Sequence, residues 1–180
     1  MDFEALVKQR RSIRQYLDKK IDRKLIDKCV EAARLAPSAH NSQPWSYIVV
    51  DDEELKNKLA GEAFSGIYKL NQFAAKAPVL IVIVTEKVSL TVMFANAYRK
   101  MKYHLIDLGI SAEHFCLQAE AEGLGTCMLG WINQRKIKKV LKIPRDRKIH
   151  LMISMGYPEH RKDGVSKRKT LEEVRKYNKY

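Results

Sequence analysis

The chain has 180 residues, of which 46% are apolar and 31% charged, so it is one ordinary domain, long enough to bury a core and too apolar to stay disordered. Lysine and arginine outnumber aspartate and glutamate enough to give a formal charge of +13. That excess favours phosphate-bearing ligands, but it is spread over 135–148, 161–179 and the N-terminal third with little aromatic interleaving, which reads as a solvated basic surface rather than a nucleic-acid groove. Cys29, Cys116 and Cys127 match no C-x-x-C or zinc spacing, their odd number argues against a disulfide framework, and the histidines recur at no metal spacing. No basic leader precedes an apolar stretch at Met1, and no apolar run reaches about 18 residues. The expectation is a cytoplasmic protein of one domain, 1–180, with no bound metal and no membrane span.

Helical and extended signals then alternate along the chain without a break. Asp2 to Arg10 is expected to form a short helix with Phe3, Leu6 and Val7 on one side. Asp22 is an N-cap candidate for a second helix, whose Leu25, Cys29, Ala33 and Ala36 share a face until Pro37 stops it. Trp45 to Val50 reads as a strand ended by Asp51-Asp52, and Glu53 to about Gly61 as a helix. A polar passage dotted with aromatics runs through Asn71. Pro78 introduces Val79 to Val84, a continuous apolar run short enough to be a strand buried on both faces. Met101 to Glu122 carries Leu105, Leu108, Ala112, Phe115 and Ala119 at helical spacing with Gly123 as its stop, and is expected to be the central core helix. Thr126 to Leu129 follows as a strand, Gln134 to Leu141 as a basic amphipathic helix, and Ile149 to Met155 as a strand ended by Gly156-Tyr157-Pro158. Beyond about residue 160 the chain is polar and basic, with Leu171 and Val174 as its main apolar anchors, so it either frays or packs on a neighbour.

Three segments are candidates for chemistry. Arg10-Arg11-Ser12-Ile13-Arg14 sets guanidinium forks and a hydroxyl close together, a donor set suited to phosphate or to a ring carbonyl that gains negative charge on reduction. Read alone, it is also a basic turn in solvent. Pro37 to Trp45 is stiffened by Pro37 and Pro44, with Ser38, Asn41, Ser42 and Gln43 between them; alone, it is equally a capped helix-to-strand connection. Gly123-Leu124-Gly125-Thr126-Cys127-Met128-Leu129-Gly130 follows a helix and enters a strand, the reverse of a dinucleotide fingerprint. Its glycines either let main chain approach a flat ligand such as a flavin, or cap a helix, turn the chain and end a strand. With no P-loop, nucleophile elbow or metal motif, a bound cofactor has to carry any chemistry.

Together these segments resemble the FMN-dependent nitroreductases. Arg10 to Tyr16 is similar to their R-R-S-x-R-x-[FY] opening and Pro37 to Trp45 to their P-S-x-x-N-x-Q-P-W segment. Asp107-Leu108-Gly109, Glu113, Gly123 to Cys127, Leu129-Gly130, Ile143-Pro144 and Gly156-Tyr157-Pro158 fall at the family's places too, so the resemblance covers nearly the whole chain. It implies an α+β fold with a mixed central sheet flanked by helices. It also implies an intertwined homodimer with FMN at the subunit interface and the tail, about 160–180, exchanged onto the partner. By position, Arg10, Arg11 and Ser12 would bind the phosphate or ribityl chain and Arg14 the pyrimidine edge, where it would stabilise the reduced flavin. Pro37, Ser38, Ala39 and Asn41 would reach the flavin of the other subunit. Cys127, Met128, Leu129 and Gly130 would line the ring at N5, with the Leu129 N–H nearest, and Asn71 stands near the place of a pyrimidine-contacting Asn. Where the family often has a K-x-R phosphate clamp, this chain has Ser166-Lys167-Arg168: Arg168 fits, the first Lys is missing, and Lys167 is the candidate substitute. The stretch 85–102, with Phe94 and Tyr98, together with Tyr103, is the candidate substrate-facing region. The activity implied is ping-pong: NADH or NADPH reduces the flavin, and a small electron-poor acceptor such as a nitroaromatic or quinone reoxidises it. Reductive dehalogenation, flavin fragmentation, azoline oxidation and flavin storage are the alternatives on the same fold.

Overall fold

The computed structural model describes residues 2–87, 101–161 and 166–180. Its helices begin where a short polar side chain takes an otherwise unpaired N–H. Asp2 caps α1 (Phe3–Gln9), Asp22 caps α2 (Arg23–Arg34) and Asp52 caps α3 (Glu53–Ala63), with carboxylate-to-N–H distances of 2.8, 3.0 and 2.8 Å. The long helix α4 (Tyr103–Ala121) ends at Gly123, whose φ of +78° lets Leu124 N donate to Ala119 O at 2.8 Å. α5 (Gln134–Val140) closes the same way, through Lys142 at φ +54°. A short α6 (Leu171–Val174) carries a Thr170/Glu173 capping box. Between α3 and the next strand, Gly66–Lys76 winds as a 3-10 segment; the sequence showed only a polar passage there, because i to i+3 turns leave no 3.6-residue apolar period.

Strands β1 (Trp45–Val50), β2 (Val79–Thr85), β3 (Gly125–Leu129) and β4 (Lys148–Gly156) form a sheet in the order β1-β2-β4-β3. All three pairs are antiparallel, with Trp45 opposite Thr85, Thr85 opposite Lys148, Val79 opposite Met155, and Gly125 opposite Gly156. The mixed sheet expected from the resemblance is therefore corrected: among the described residues, parallel pairing is confined to an isolated bridge between Ser12 and Thr126. Burial of β2 on both faces does not need parallel neighbours, because helices cover both sides. Ile81, Ile83 and Ile153 pack with Ile26, Cys29 and Ala33 of α2 and Phe115 of α4. Leu80, Val82 and Val84 pack on the opposite side with Leu59 and Ala63 of α3 and Ile137 of α5.

Some apolar side chains stay uncovered. α1 buries no residue, with Phe3 at 72% exposure; Leu105 and Ile106 on α4 and the tail anchors Leu171 and Val174 are exposed as well. Leu105 thus departs from the expected core stripe, which begins at Leu108. Phe94 and Tyr98 lie outside the described residues, and Tyr103 opens α4. Among the described residues, no helix is long and apolar enough to cross a membrane.

Candidate active site

The arginine segment is an extended strap laid on the free edge of β3. Ile13 N donates to Thr126 O at 2.8 Å, Leu17 N to Tyr157 O at 2.9 Å, and Glu159 N to Gln15 O at 3.1 Å. Two close approaches fix its height. A Cβ on Gly125 would lie 2.6 Å from Ile13 Cγ1, and one on Gly156 would lie 2.7 Å from Tyr16 Cδ1, so each glycine makes room for one anchor of the strap. The buried Tyr16 hydroxyl is 2.6 Å from Ile13 O, to which it donates, and 2.8 Å from Ser154 Oγ. Burial raises the Tyr16 phenol above its ordinary pKa of 10.0, which suits a structural peg rather than an acid.

With Ile13 and Tyr16 used as anchors, the other side chains are left to bind. Arg10, Arg11, Ser12, Arg14 and Gln15 line a cavity of about 520 Å3 together with His160, Ser166 and Arg168. The strap and the tail therefore meet, which brings Arg10, Arg11, Ser12 and Arg168 together. Lys167 is absent from this lining; its carbonyl accepts a hydrogen bond from Arg168 Nη1 at 3.1 Å. Arg10 is oriented by Glu113 of α4, with Nε 3.1 Å from Oε1. Arg14 Nη1 lies 3.4 Å from Ser12 O, and its guanidinium sits 5.6 Å from the centre of the Phe73 ring. This concentration of permanent cations within one concave surface suits a phosphate or another oxyanion.

The chain after β3 continues the site. Because Thr126 turns its carbonyl to the strap, strand alternation turns the main-chain groups of Met128 to the same open edge. A Cβ on Gly130 would meet nothing within 4 Å. Asn71 Nδ2 donates to Trp131 O at 2.9 Å, Trp131 Nε1 donates to Ile67 O at 2.8 Å, and Tyr68 stacks obliquely on the indole at 5.3 Å. The 3-10 segment thereby brings Asn71 beside the end of β3 and Phe73 beside Arg14. Phe73 and Trp131 had no motif to announce them. Cys127 is buried: burial raises its thiol pKa, against the opposing influence of Arg14 and a hydrogen bond from Ser12. Burial likewise pushes Cys29 and Cys116 up to about 12. These thiols are protonated near neutrality and supply no nucleophile.

Pro37, Ser38, Ala39 and Asn41 do not line the arginine cavity. Their loop leads into β1, at the opposite edge of the sheet from β3 and at the opposite end from the Ser12 bridge. Three strand spacings put about 14 Å across the sheet between these corners, and the strand length adds about 20 Å along it. His40, Asn41 and Gln43 all adopt left-handed backbone, with φ of 51°, 51° and 44°. Such conformations cost about 1–3 kcal/mol each and need fixing. The fixing comes from Gln43 N to Ser38 Oγ at 2.9 Å, Gln43 Nε2 to Asn41 Oδ1 at 3.1 Å, and Ala39 N to the buried Asp107 Oδ1 on α4 at 3.1 Å.

The sequence profile of the nitroreductase family matches residues 7–157, a span that contains the strap, the proline-bounded loop and the glycine segment. The chain belongs to the nitroreductase family. It is an oxidoreductase, with relatives named for NAD(P)H-dependent reduction. A protein of Archaeoglobus fulgidus named as an NADH dehydrogenase/NAD(P)H nitroreductase is 33% identical over 165 residues, covering 88% of this nitroreductase and 86% of the relative. The solved structure of an FMN-dependent nitroreductase from Clostridium difficile superimposes with a TM-score of 0.78 at 28% identity, covering 99% of this chain and 100% of that one. Iodotyrosine deiodinase 1 of Rattus norvegicus is 26% identical over 200 residues, covering 96% of this chain and 68% of its own length.

Proposed function

We propose that this nitroreductase is an FMN-dependent NAD(P)H oxidoreductase that passes electrons by a ping-pong sequence to small electron-poor acceptors such as nitroaromatics or quinones. The observation that carries the reading is the cavity in which Arg10, Arg11, Ser12 and Arg14 of the strap meet Arg168 of the tail. That donor set fits a flavin phosphate and an electron-rich ring edge, whereas among the described residues no cysteine is activated and no group of three or more His, Cys, Asp or Glu could hold a metal ion. Bound FMN supplies the hydride chemistry. Arg10, held by Glu113, would grip the phosphate or ribityl chain with Arg11, Ser12 and Arg168, while the Lys167 carbonyl orients Arg168. Arg14 would hold the pyrimidine edge and favour its anionic form, and Asn71 would flank it. Cys127, Met128, Leu129 and Gly130 would line the ring at N5, where the open edge of β3 offers main-chain groups and Gly130 offers space.

The proposed assembly is a homodimer. Pro37, Ser38, Ala39 and Asn41 are pre-shaped, yet sit at the far corner of the sheet from the arginines of their own chain, so they serve the site of a second copy. Exposed Phe3, Leu105, Ile106, Leu171 and Val174 give that copy apolar surface to cover, with the tail from about 160 to 180 packing on it. One domain spans 1–180, and its buried free cysteines suit a reducing, cytoplasmic setting. The purified protein should be yellow and dimeric by light scattering; a colourless monomer that FMN cannot reconstitute would overturn the reading. The deiodinase relative favours reductive dehalogenation as the second reading. Anaerobic turnover of a nitroaromatic against an iodinated phenol separates the two.

A further inference from the structure

His160 shares the arginine cavity, although no motif singled it out. It is not placed there by a loose tail. On one side, Glu159 N donates to Gln15 O of the strap at 3.1 Å. On the other, Arg161 is ion-paired with Glu120 of α4, a carboxylate whose side chain is 3% exposed. The residue between is therefore held at both flanks, once to the arginine strap and once to the core helix. Its imidazole projects with 75% of its surface accessible, free to meet a ligand.

We propose that His160 is a phosphate-recognising residue of the FMN site, its ring adding an N–H donor to those of the arginines. The inference rests on the FMN reading above. Among the described residues, the charges around the ring are Arg10, Arg11, Arg14 and Arg168 of the cavity, Glu159 with Oε1 4.0 Å from Nε2, and the Arg10–Glu113 and Arg161–Glu120 pairs. A ring so placed adds to the hold on FMN and not to the hold on riboflavin, which has no phosphate.

The test titrates the full-length protein, freed of flavin, with FMN and with riboflavin, reading quenching of flavin fluorescence. His160→Ala is expected to bind FMN about fivefold more weakly than wild type, the size expected of one solvent-exposed contact to a charge. His160→Gln, which keeps an N–H donor, should recover part of that loss. Riboflavin affinity should be the same for all three proteins. An alanine variant that matches wild type, or one that loses FMN and riboflavin alike, overturns the role of His160 and leaves the FMN site standing. A wild-type protein that binds neither flavin overturns both.

Discussion

Replacing Gly125 by alanine tests whether the arginine strap is positioned by its contact with β3. The new methyl carbon would lie 2.6, 2.8 and 3.0 Å from Cγ1, Cβ and Cγ2 of Ile13, against roughly 3.5–4.0 Å for an unstrained carbon contact. Ile13 therefore has to retreat by about 1 Å. Its N–H bond to Thr126 O, now 2.8 Å, would stretch to roughly 3.8 Å and cease to be a hydrogen bond. Losing that bond costs about 1 kcal/mol, and crowding a packed site costs about 1–3 kcal/mol, so unfolding stability should fall by about 2–4 kcal/mol. Arg10 and Arg14 flank Ile13 and move with it, so FMN affinity should drop at least about tenfold, the equivalent of about 1.4 kcal/mol. Denaturant unfolding and FMN titration read the two effects. Gly61→Ala on α3 is the control: nothing lies within 4 Å of its new methyl, and a helical alanine should stabilise by about 0.5–1 kcal/mol. In the Gly125→Ala background, Ile13→Ala removes two of the three crowding carbons and should recover part of both losses. Wild-type stability and affinity in Gly125→Ala, or simple additivity in the double variant, would refute this positioning.

Arg14→Ala should slow flavin reduction by NAD(P)H in stopped flow and weaken FMN retention on dialysis; an unchanged reductive half-reaction would remove Arg14 from the ring. Lys142→Gly relieves a left-handed residue at the end of α5 and should raise stability by about 1 kcal/mol in a thermal melt, with no gain counting against the assigned strain. His104 and His150, with ring centres 6.0 Å apart, have their pKa values lowered from 6.5, first by burial and then by neighbouring positive groups. The unfolded chain therefore binds more protons than the native one just below pH 6.5. Stability should be fully present above that pH and should decline as pH falls from 6.5 toward the lowered native values. Melting temperatures across this range should fall less steeply in His104→Gln and His150→Gln; slopes equal to wild type would contradict the linkage.

What the sequence disclosed follows from which forces are periodic. Val79 to Val84 and the stripe from Leu108 to Ala119 were legible because burial repeats along them, and Asp22 because capping is local. Strand direction was not legible: a fully apolar β2 says that both faces are covered, not which way its neighbours run. The 3-10 segment, with Phe73, was hidden for want of a long period, and Asn71 on it was reached only through the family resemblance. Trp131 and His160 enter the site through contacts with distant segments, and such contacts leave no mark in local spacing.

The glycine segment shows how one motif can hold separate tasks. Its sequence allowed either one device for admitting a flat ligand or three separate roles, and the glycines do three different things. Gly123 takes the left-handed turn that ends α4, Gly125 admits Ile13, and Gly130 faces open space beside the edge of β3. Gly125 is thus a partner of the arginine strap, as Gly156 is through Tyr16. In Arg10 to Tyr16 the two apolar positions are what the glycines receive, and the arginines, Ser12 and Gln15 around them are what is left to face a ligand. The strap and the glycine segment are therefore two halves of one structural feature, and a substitution at either half should be felt at the cavity they share.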